Sequence, residues 1–491
     1  MRESFRLFVR ERLATKTSAA IFLIQSILSR AKRERKKIAV IAFNVKERDL
    51  LYLEKHSDIQ LSELVEECGS LSEKRIAEIC REYNVSLEFD AKTLKYFAPG
   101  RASDPDTPHS LRGDGTVTPF YWSLESVKRK DGNIRLAHLL DPDDLDERAI
   151  GVLAEIEDLL DSDWKDVEHF YGLLNQFQTG QQNWRGHSGA TVAKVRRLLR
   201  VNCGEILRGL FSFDDSSEKD IPLEKLRAGH CYVIDIQSLN DKGRRIVFFN
   251  ILSRLAAMLE TFKNERDQSK DVPLDAVIVF VDELNKFAPS GRGFGHGLKD
   301  QIIEIAARGR SVGLVLFGAE QFASGIDKEV YGNCSTHFVG RTEHVELTDQ
   351  VYGWISRDLK YVASTLRKGS LLCKHALFAR PLLLRFPRPL HTFEESDIED
   401  LLEAKKPKPT SKAAPDEDDL ARLLKLLKGR SNQSPVTYYQ AVPEIRTLGM
   451  GQPKFTSWYK SWVAKKRYQS GSDTEKSTVR FLIGYLEKSP S

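Results

Sequence analysis

Residues 277–283 (VIVFVDE) constrain the fold of this chain more than any other stretch. Five β-branched or aromatic residues in a row suit a strand that is buried on both faces, as strands of parallel sheets are. Asp282 and Glu283 would then emerge at the carboxyl end of the strand, which is the edge of an open α/β sheet where ligands bind. The pattern predicts an α/β fold with a mostly parallel sheet flanked by helices.

The two acids match the Walker B pattern of nucleoside triphosphatases. Mg²⁺ prefers carboxylate and phosphate oxygens, so Asp282 is predicted to hold the metal through its water shell. Glu283 is predicted to orient or deprotonate the attacking water. A second buried strand at 312–317 leads to Gln321, which is predicted to touch the γ-phosphate and the same water. The simpler alternative is a buried strand that happens to end in two solvated acids.

Three arginines near these strands are candidates for a finger that stabilises charge in the site of a neighbouring subunit. Two of them flank a glycine in a predicted turn before the second strand, and the third follows a strand predicted at 337–340. The three are Arg308, Arg310 and Arg341. The alternative is that each is an ordinary surface or ion-pair residue.

Taken together, these stretches resemble the HerA-like branch of the HerA/FtsK translocases. The matching phrases are VFVDELNKFAP, IIEIAARGRSVGLVLFGAEQ and GNCSTHFVGRTEH, with FNVKERDLLYL at 43–53 and LFARPLLLRFPRPL at 377–390. The resemblance covers roughly residues 14–390. It implies a RecA-like P-loop ATPase that binds ATP and Mg²⁺ and assembles as a ring, typically a homo-hexamer. Such a ring pumps double-stranded DNA in concert with a nuclease or other effector protein.

The chain departs from the family pattern where nucleotide binding begins. A P-loop reads GxxxxGK[ST], because glycines let backbone N–H groups curl around phosphates while Lys and the hydroxyl reach phosphate and Mg²⁺. The corresponding window, RERLATKT, has Arg10 and Thr15 in the two glycine places but keeps Lys16 and Thr17. The predicted nucleotide-binding residues are Lys16, Thr17, Thr15 and Ser18, and Thr17 is also a predicted Mg²⁺ ligand.

The loss of both glycines leaves two interpretations open. A non-glycine residue forced to φ > 0 is strained by ~1–3 kcal/mol, and its side chain would crowd the phosphates. Either the chain binds nucleotide weakly, or its first residues are not those of the ancestral protein, as a shifted reading frame or a wrongly chosen start would produce. The second would also account for the missing β-barrel that many family members carry before the P-loop.

Composition excludes several other classes of protein. With 491 residues, of which 41% are hydrophobic and 30% charged, the chain can bury one large core and a smaller one. No run approaches the roughly 18 consecutive apolar residues of a membrane span, and no signal peptide is indicated. The six cysteines form no CxxC pair, which argues against zinc and for reduced, cytoplasmic thiols.

Charge divides the chain into a domain of residues 1–403, a Pro- and Lys-rich linker at 404–419 and a tail at 420–491. The tail holds thirteen Lys and Arg against four Asp and Glu, whereas the net charge of the whole chain is only +5. Helical patterns in it predict a small basic helical C-terminal domain. Its candidate DNA-binding residues are Lys465, Lys466 and Arg467. The alternative is that these charges form a solvated face.

A helical insertion is predicted at about 95–215 within the first domain. It contains an acidic region at 137–163 and a basic one at 184–208, which suit either head-to-tail ring contacts or two solvated helices. The glycine-rich stretch at 291–297 (GRGFGHG) carries Arg292, a further candidate DNA contact. The alternative for this stretch is a flexible surface loop that contacts nothing.

Two functional hypotheses follow. The first is an ATP-dependent, ring-forming DNA translocase or helicase that acts with a nuclease or defence effector, favoured by Asp282, Glu283 and Gln321. The second is a catalytically weakened HerA-like ring subunit that scaffolds a partner protein, favoured by the missing glycines at positions 10 and 15.

Overall fold

The structure is a computed structural model of the chain. It describes residues 5–9, 15–54, 78, 81–82, 89–129, 134–176, 183–207, 209–291, 296–367 and 369–386. All of them belong to one compact unit, Met1–Leu402. The predicted linker, the predicted C-terminal domain with its three basic residues, and Arg292 lie outside the described residues, so what was inferred for them stays a prediction.

The described elements alternate between strands and helices along most of the chain. The strands are β1 (Phe5–Val9), β2 (Ile38–Asn44), β3 (Leu94–Arg101), β4 (Asp104–Pro108), β5 (Val117–Phe120), β6 (Asn183–Trp184), β7 (His187–Ser188), β8 (Cys231–Asp235), β9 (Ala276–Asp282), β10 (Leu314–Glu320), β11 (Thr336–Val339), β12 (Ser370–His375) and β13 (Leu382–Arg385). The helices are α1 (Thr15–Arg33), α2 (Glu125–Lys128), α3 (Glu147–Leu160), α4 (Phe170–Gln176), α5 (Gly189–Leu199), α6 (Asp241–Asp267), α7 (His296–Val312), α8 (Lys328–Asn333) and α9 (Arg357–Ser364).

Eleven of the described strands form one sheet. Their order is β13-β12-β11-β1-β10-β9-β2-β8-β3-β4, and β5 pairs with β3. The strands from β11 to β3 in this order run parallel to one another, while β12, β13 and β4 pair antiparallel at the two ends. The strand with the acidic pair, β9, lies in the middle between β10 and β2. The predicted fold class, a mostly parallel sheet flanked by helices, is confirmed.

The continuous apolar runs of the central strands are explained by burial on both faces. Alternate residues of a strand point to opposite sides of the sheet. In β9, Val277, Val279 and Val281 belong to the core cluster that also contains α6 and α7 residues. Ile278 and Phe280 belong to the second cluster, which contains the apolar residues of α1. Helices therefore cover both faces, and only the strand ends are left for polar residues.

The segment predicted as a helical insertion from about residue 95 begins differently. Residues 94–120 form the strands β3, β4 and β5, which extend the main sheet beyond β8. Its helices begin only afterwards, at Glu125. The sequence cue was missed because the strands of this segment contain proline and charged residues, which are tolerated near the edge of a sheet.

Charges in the acidic and basic regions of the insertion are paired within the chain. Lys194 of α5 lies 2.8 Å from Asp146 at the start of α3, measured from Nζ to Oδ2. Arg185 contacts Glu155 at 2.9 Å and Asp163 at 3.3 Å. These ion pairs lie within one chain, and both interpretations of the two regions, ring contacts and solvated helices, stay predictions.

Candidate active site

Polar side chains are buried at the carboxyl ends of four neighbouring strands. Glu320 ends β10, Asp282 ends β9, Asn44 ends β2 and Asp235 ends β8; each is at most 5% exposed. Because these strands are parallel, their ends meet at one edge of the sheet. The register places Ala319 beside Asp282 and Asn44 beside Asp235. The expectation that Asp282 lies at the ligand-binding edge agrees with this arrangement.

Glu283 follows Asp282 in a left-handed backbone conformation, with φ 59° and ψ 52°. A left-handed conformation costs a non-glycine residue ~1–2 kcal/mol. The backbone N–H of Glu283 donates to Oδ1 of Asp282 at 3.0 Å. Its carboxylate is half-buried and lies 2.6 Å from Nζ of Lys286, measured at Oε2. Glu283 therefore combines a strained backbone with a half-buried, ion-paired carboxylate beside the buried Asp282.

Glu320 occupies the buried place at the tip of β10 that sequence reasoning assigned to its neighbour, Gln321. Its Oε2 accepts the backbone N–H of Asn285 at 2.9 Å, and its Oε1 accepts the backbone N–H of Gln321 at 2.5 Å. Gln321 is half-buried just beyond the strand. In register, Glu320 lies beside Val9, the last residue of β1.

The strand that leads into the predicted phosphate loop is also central. β1 lies between β10 and β11, and Val9 is opposite both Glu320 and Val339. Helix α1 begins at Thr15, inside the window that corresponds to the P-loop. Residues 10–14 and the side chains of Thr15, Lys16, Thr17 and Ser18 lie outside the description. The backbone therefore brings the end of β1 to the edge that holds Asp282 and Glu320.

The three candidate arginines lie at different edges of the sheet. Arg308 and Arg310 belong to the last turns of α7, which runs through Gly309 to Val312, so the predicted turn at this glycine is wrong. A Cβ at Gly309 would lie 2.6 Å from the carbonyl oxygen of Leu314, which explains why glycine is needed in this helix. Both arginines are exposed and precede the amino end of β10, so they lie far from Asp282 of the same chain.

Arg341 is different, because it lies two residues beyond β11 at the carboxyl edge. It is exposed, next to the strand that neighbours β1. Among the three arginines, only Arg341 is brought by the fold to the edge that holds the acidic pair.

Asn44 and Asp235 are site-edge residues that the sequence reasoning missed. Nδ2 of Asn44 donates to Oδ1 of Asp235 at 2.9 Å, and Ser110 donates its hydroxyl to Oδ2 at 2.6 Å. Burial raises the pKa of the Asp235 carboxyl, and these two hydrogen bonds act in the opposite direction. The signal available in the sequence was the same for Asn44, Asp235 and Glu320, because each is the first strongly polar residue to end a buried run.

The described part of this edge offers few metal ligands. Among the described residues, no three His, Cys, Asp or Glu side chains are grouped so as to hold a metal ion. Asp282 offers the carboxylate oxygen that Mg²⁺ prefers, and Mg²⁺ in nucleotide sites takes its other ligands from water and phosphate. The protein side of this edge therefore fits Mg²⁺ bound together with a nucleotide.

Comparisons with known proteins add little beyond the architecture. No protein-family model matches the chain, and no curated protein matches it either. Among solved structures, the bacterial conjugative coupling protein TrwBΔN70 is 11% identical, with 79% of this chain and 86% of that chain covered and a TM-score of 0.44. The genome packaging NTPase B204 from Sulfolobus turreted icosahedral virus 2, in complex with AMPPCP, is 14% identical, with 32% and 69% covered and a TM-score of 0.24. In the part of the chain that is described, no helix is long and apolar enough to cross a membrane.

Proposed function

We propose that the chain is a HerA-like, ring-forming ATPase that translocates double-stranded DNA together with a nuclease or other effector. The observation that carries the ATPase part is the strained Glu283 beside the buried Asp282, at the edge where the β1–α1 connection begins. The DNA, hexamer and effector parts rest on the sequence resemblance to the translocases.

In this proposal Asp282 holds Mg²⁺ through water, and Lys16 and Thr17 bind phosphate and metal, flanked by Thr15 and Ser18. Bound Mg²⁺ would neutralise charge on the phosphates. Glu283 orients the attacking water and accepts its proton, while Gln321 contacts the γ-phosphate. Arg341 is the finger candidate best placed at this edge. A role of Arg308 or Arg310 requires a second copy, because both lie at the opposite edge of their own chain.

The ion pair between Glu283 and Lys286 supports the second candidate, a weakened subunit that scaffolds a partner. An ammonium group 2.6 Å from one carboxylate oxygen favours the ionised form and makes the carboxylate a weaker proton acceptor. The absence of glycine at positions 10 and 15 points the same way. In this candidate the chain keeps the fold and binds a partner protein through its surface, and it does not hydrolyse ATP.

ATP hydrolysis and nucleotide binding by Glu283→Gln separate the two candidates. For a working motor we expect near-normal ATP binding and a ~10²- to 10⁴-fold loss of hydrolysis. A matched control is Glu47→Gln, because Glu47 is also a left-handed glutamate, with φ 45°, but is exposed beyond β2. Equal hydrolysis by wild type and Glu283→Gln would remove Glu283 from the mechanism. If the wild type binds no nucleotide, the scaffold candidate is favoured, and Arg10→Gly with Thr15→Gly tests whether binding can be restored.

The DNA part has a separate test. Replacing Lys465, Lys466 and Arg467 with Ala should weaken DNA binding and reduce the slope of log affinity against log salt by ~0.9 for each lost phosphate contact. An unchanged slope would remove this cluster from the DNA contact. Arg292→Ala is measured in the same titration for the glycine-rich stretch.

A further inference from the structure

The carboxylate of Glu320 lies at the edge that holds the proposed site, and none of the roles proposed above for the reaction belongs to it. It is 1% exposed and ends β10, the strand between β1 and β9. A buried carboxylate is unfavourable unless hydrogen-bond donors replace the lost water. The donors that Glu320 receives therefore indicate what it holds in place.

Two of those donors are backbone N–H groups from two different turns. Asn285 belongs to the short helical turn Leu284–Lys286 directly after Glu283, and it donates to Oε2 at 2.9 Å. Gln321 begins the turn after β10 and donates to Oε1 at 2.5 Å. The carboxylate of Glu320 thus joins two turns. One follows Glu283, which is proposed to orient the water, and the other begins at Gln321, which is proposed to contact the γ-phosphate.

We propose that Glu320 is a positioning residue for hydrolysis, which couples Gln321 to Glu283 by holding both turns. This rests on the proposed ATPase function. The anchored N–H of Asn285 lies two residues after Glu283, in the turn that directly follows the left-handed Glu283. A shift of the Gln321 turn on contact with a γ-phosphate would be carried to Glu283 through this side chain.

The chemistry of the pair explains why a glutamate serves here. Each of the two N–H groups needs its own acceptor oxygen, and a carboxylate supplies two. Glutamine has the same length but presents one oxygen and one NH₂ group, so one of the two turns would face a donor instead of an acceptor. Glu320→Gln therefore removes one half of the link while keeping the size of the side chain.

The test is steady-state ATP hydrolysis by wild type, Glu320→Gln, Glu283→Gln and the double variant, with ATP binding measured separately. We expect Glu320→Gln to lower kcat ~10- to 100-fold with little change in KM or ATP affinity. In the Glu283→Gln background the same change should alter kcat less than ~2-fold, because a residue that acts through Glu283 cannot add to its loss. Independent, multiplicative losses would overturn the proposal.

A matched structural carboxylate is available as a control. Glu157 of α3 accepts the backbone N–H of Leu136 at 2.6 Å, which also ties a turn to its surroundings, and that turn holds neither Gln321 nor Glu283. Glu157→Gln should lower thermal stability but leave kcat within ~2-fold of wild type. An equal loss of kcat in both variants would reduce Glu320 to a structural role.

If the wild type does not hydrolyse ATP, the proposed function is contradicted, but the link that Glu320 makes between the two turns is not. Hydrogen exchange tests this link without hydrolysis. Amides of residues 283–286 and of Gln321 should exchange slowly in the wild type and together become faster in Glu320→Gln. If the variant does not fold, the wild type is compared with and without a non-hydrolysable ATP analogue, which should protect both turns together. The proposal would be overturned if the amides of one turn changed their exchange rate while those of the other turn did not.

Discussion

Two left-handed residues at opposite edges of the sheet show how differently the same backbone state can arise. Glu283 has φ 59° at the carboxyl edge, and Arg35 has φ 55° at the amino edge. Arg35 follows the end of α1, where the N–H of Lys36 donates to the carbonyl of Ala31 at 2.8 Å, as is common at helix ends. Glu283 has no such helix before it, since it follows a strand.

The difference teaches that strain alone does not identify a site. Three helices end at the edge of the sheet where the central strands begin: α1 before β2, α6 before β9 and α7 before β10. A left-handed residue follows each of them, namely Arg35, Ser269 and Gly313 respectively. There the conformation is required by the helix end, and the side chain is exposed or absent. At Glu283 the side chain is half-buried among charged neighbours, so its identity matters.

The largest expected effect comes from replacing Glu283 and Arg35, each in a separate variant, with glycine. Glycine relieves the left-handed conformation but has more freedom in the unfolded chain, so each variant should gain at most ~1 kcal/mol of stability. Glu283→Gly should lose ~10²- to 10⁴-fold in hydrolysis, whereas Arg35→Gly should keep it. Melting curves and ATPase rates for both variants check this, and a similar loss of hydrolysis in Arg35→Gly would remove the contrast.

A buried histidine on β11 should make stability depend on pH. Burial, and then the nearby Lys374, lower the pKa of His337 to about 4. Because the folded state holds the neutral form, its contribution is complete above the unfolded pKa of ~6.5 and is lost as the pH falls toward 4, by up to ~3 kcal/mol. Denaturant unfolding from pH 7 to 4 measures this loss. His337→Phe should flatten the curve, and an unchanged slope in that variant would assign the loss to other groups.

Among the three left-handed helix ends, only Gly313 has no room for a side chain. A Cβ there would overlap the carbonyl oxygen of Asp275. Gly313→Ala should therefore cost ~2 kcal/mol or more of unfolding free energy. Gly332→Ala is the control, because a Cβ at that position of α8 meets no neighbouring atom, and helix propensity predicts a gain of ~0.5–1 kcal/mol. Thermal melts compare the two, and equal effects would contradict the distinction.

The smallest effect is expected from the exposed arginines of α7. The ion pair of Arg308 with Glu304 spans 3.7 Å between side chains that are 80% and 68% exposed. Such a pair contributes little, so Arg308→Ala should change stability by less than ~0.5 kcal/mol. If Arg308 serves the site of a neighbouring copy, hydrolysis by this variant falls only under conditions in which copies associate. Rates measured across protein concentrations check this role.

Long apolar runs gave reliable predictions of the central strands. The runs at β9 and β10 predict strands, because burial on both faces leaves few other possibilities for them. Elements near the end of the sheet, such as β3 to β5, were missed because they are partly solvated and carry mixed residues. The turn assigned to Gly309 was wrong because that glycine serves close packing inside a helix.

The choice of Gln321 over Glu320 shows where local patterns stop being informative. Both residues end the same buried run, and their order alone does not reveal which one faces inward. The structure places Glu320 opposite Val9 of β1 and buries it, whereas Gln321 is half-buried just beyond the strand. In the same way, only the structure shows that Arg308 and Arg310 lie where β10 begins, whereas Arg341 lies where β11 ends.

The sequence by itself determined that buried parallel strands end in acids, because hydrophobic runs and the carboxylates after them are local features of the chain. Only the tertiary structure decided which strand ends become neighbours, since the order β1-β10-β9-β2-β8 joins segments that are far apart in sequence. Packing of both sheet faces fixes that order and leaves one edge for polar groups. Asn44, Asp235, Asp282 and Glu320 meet there for that reason.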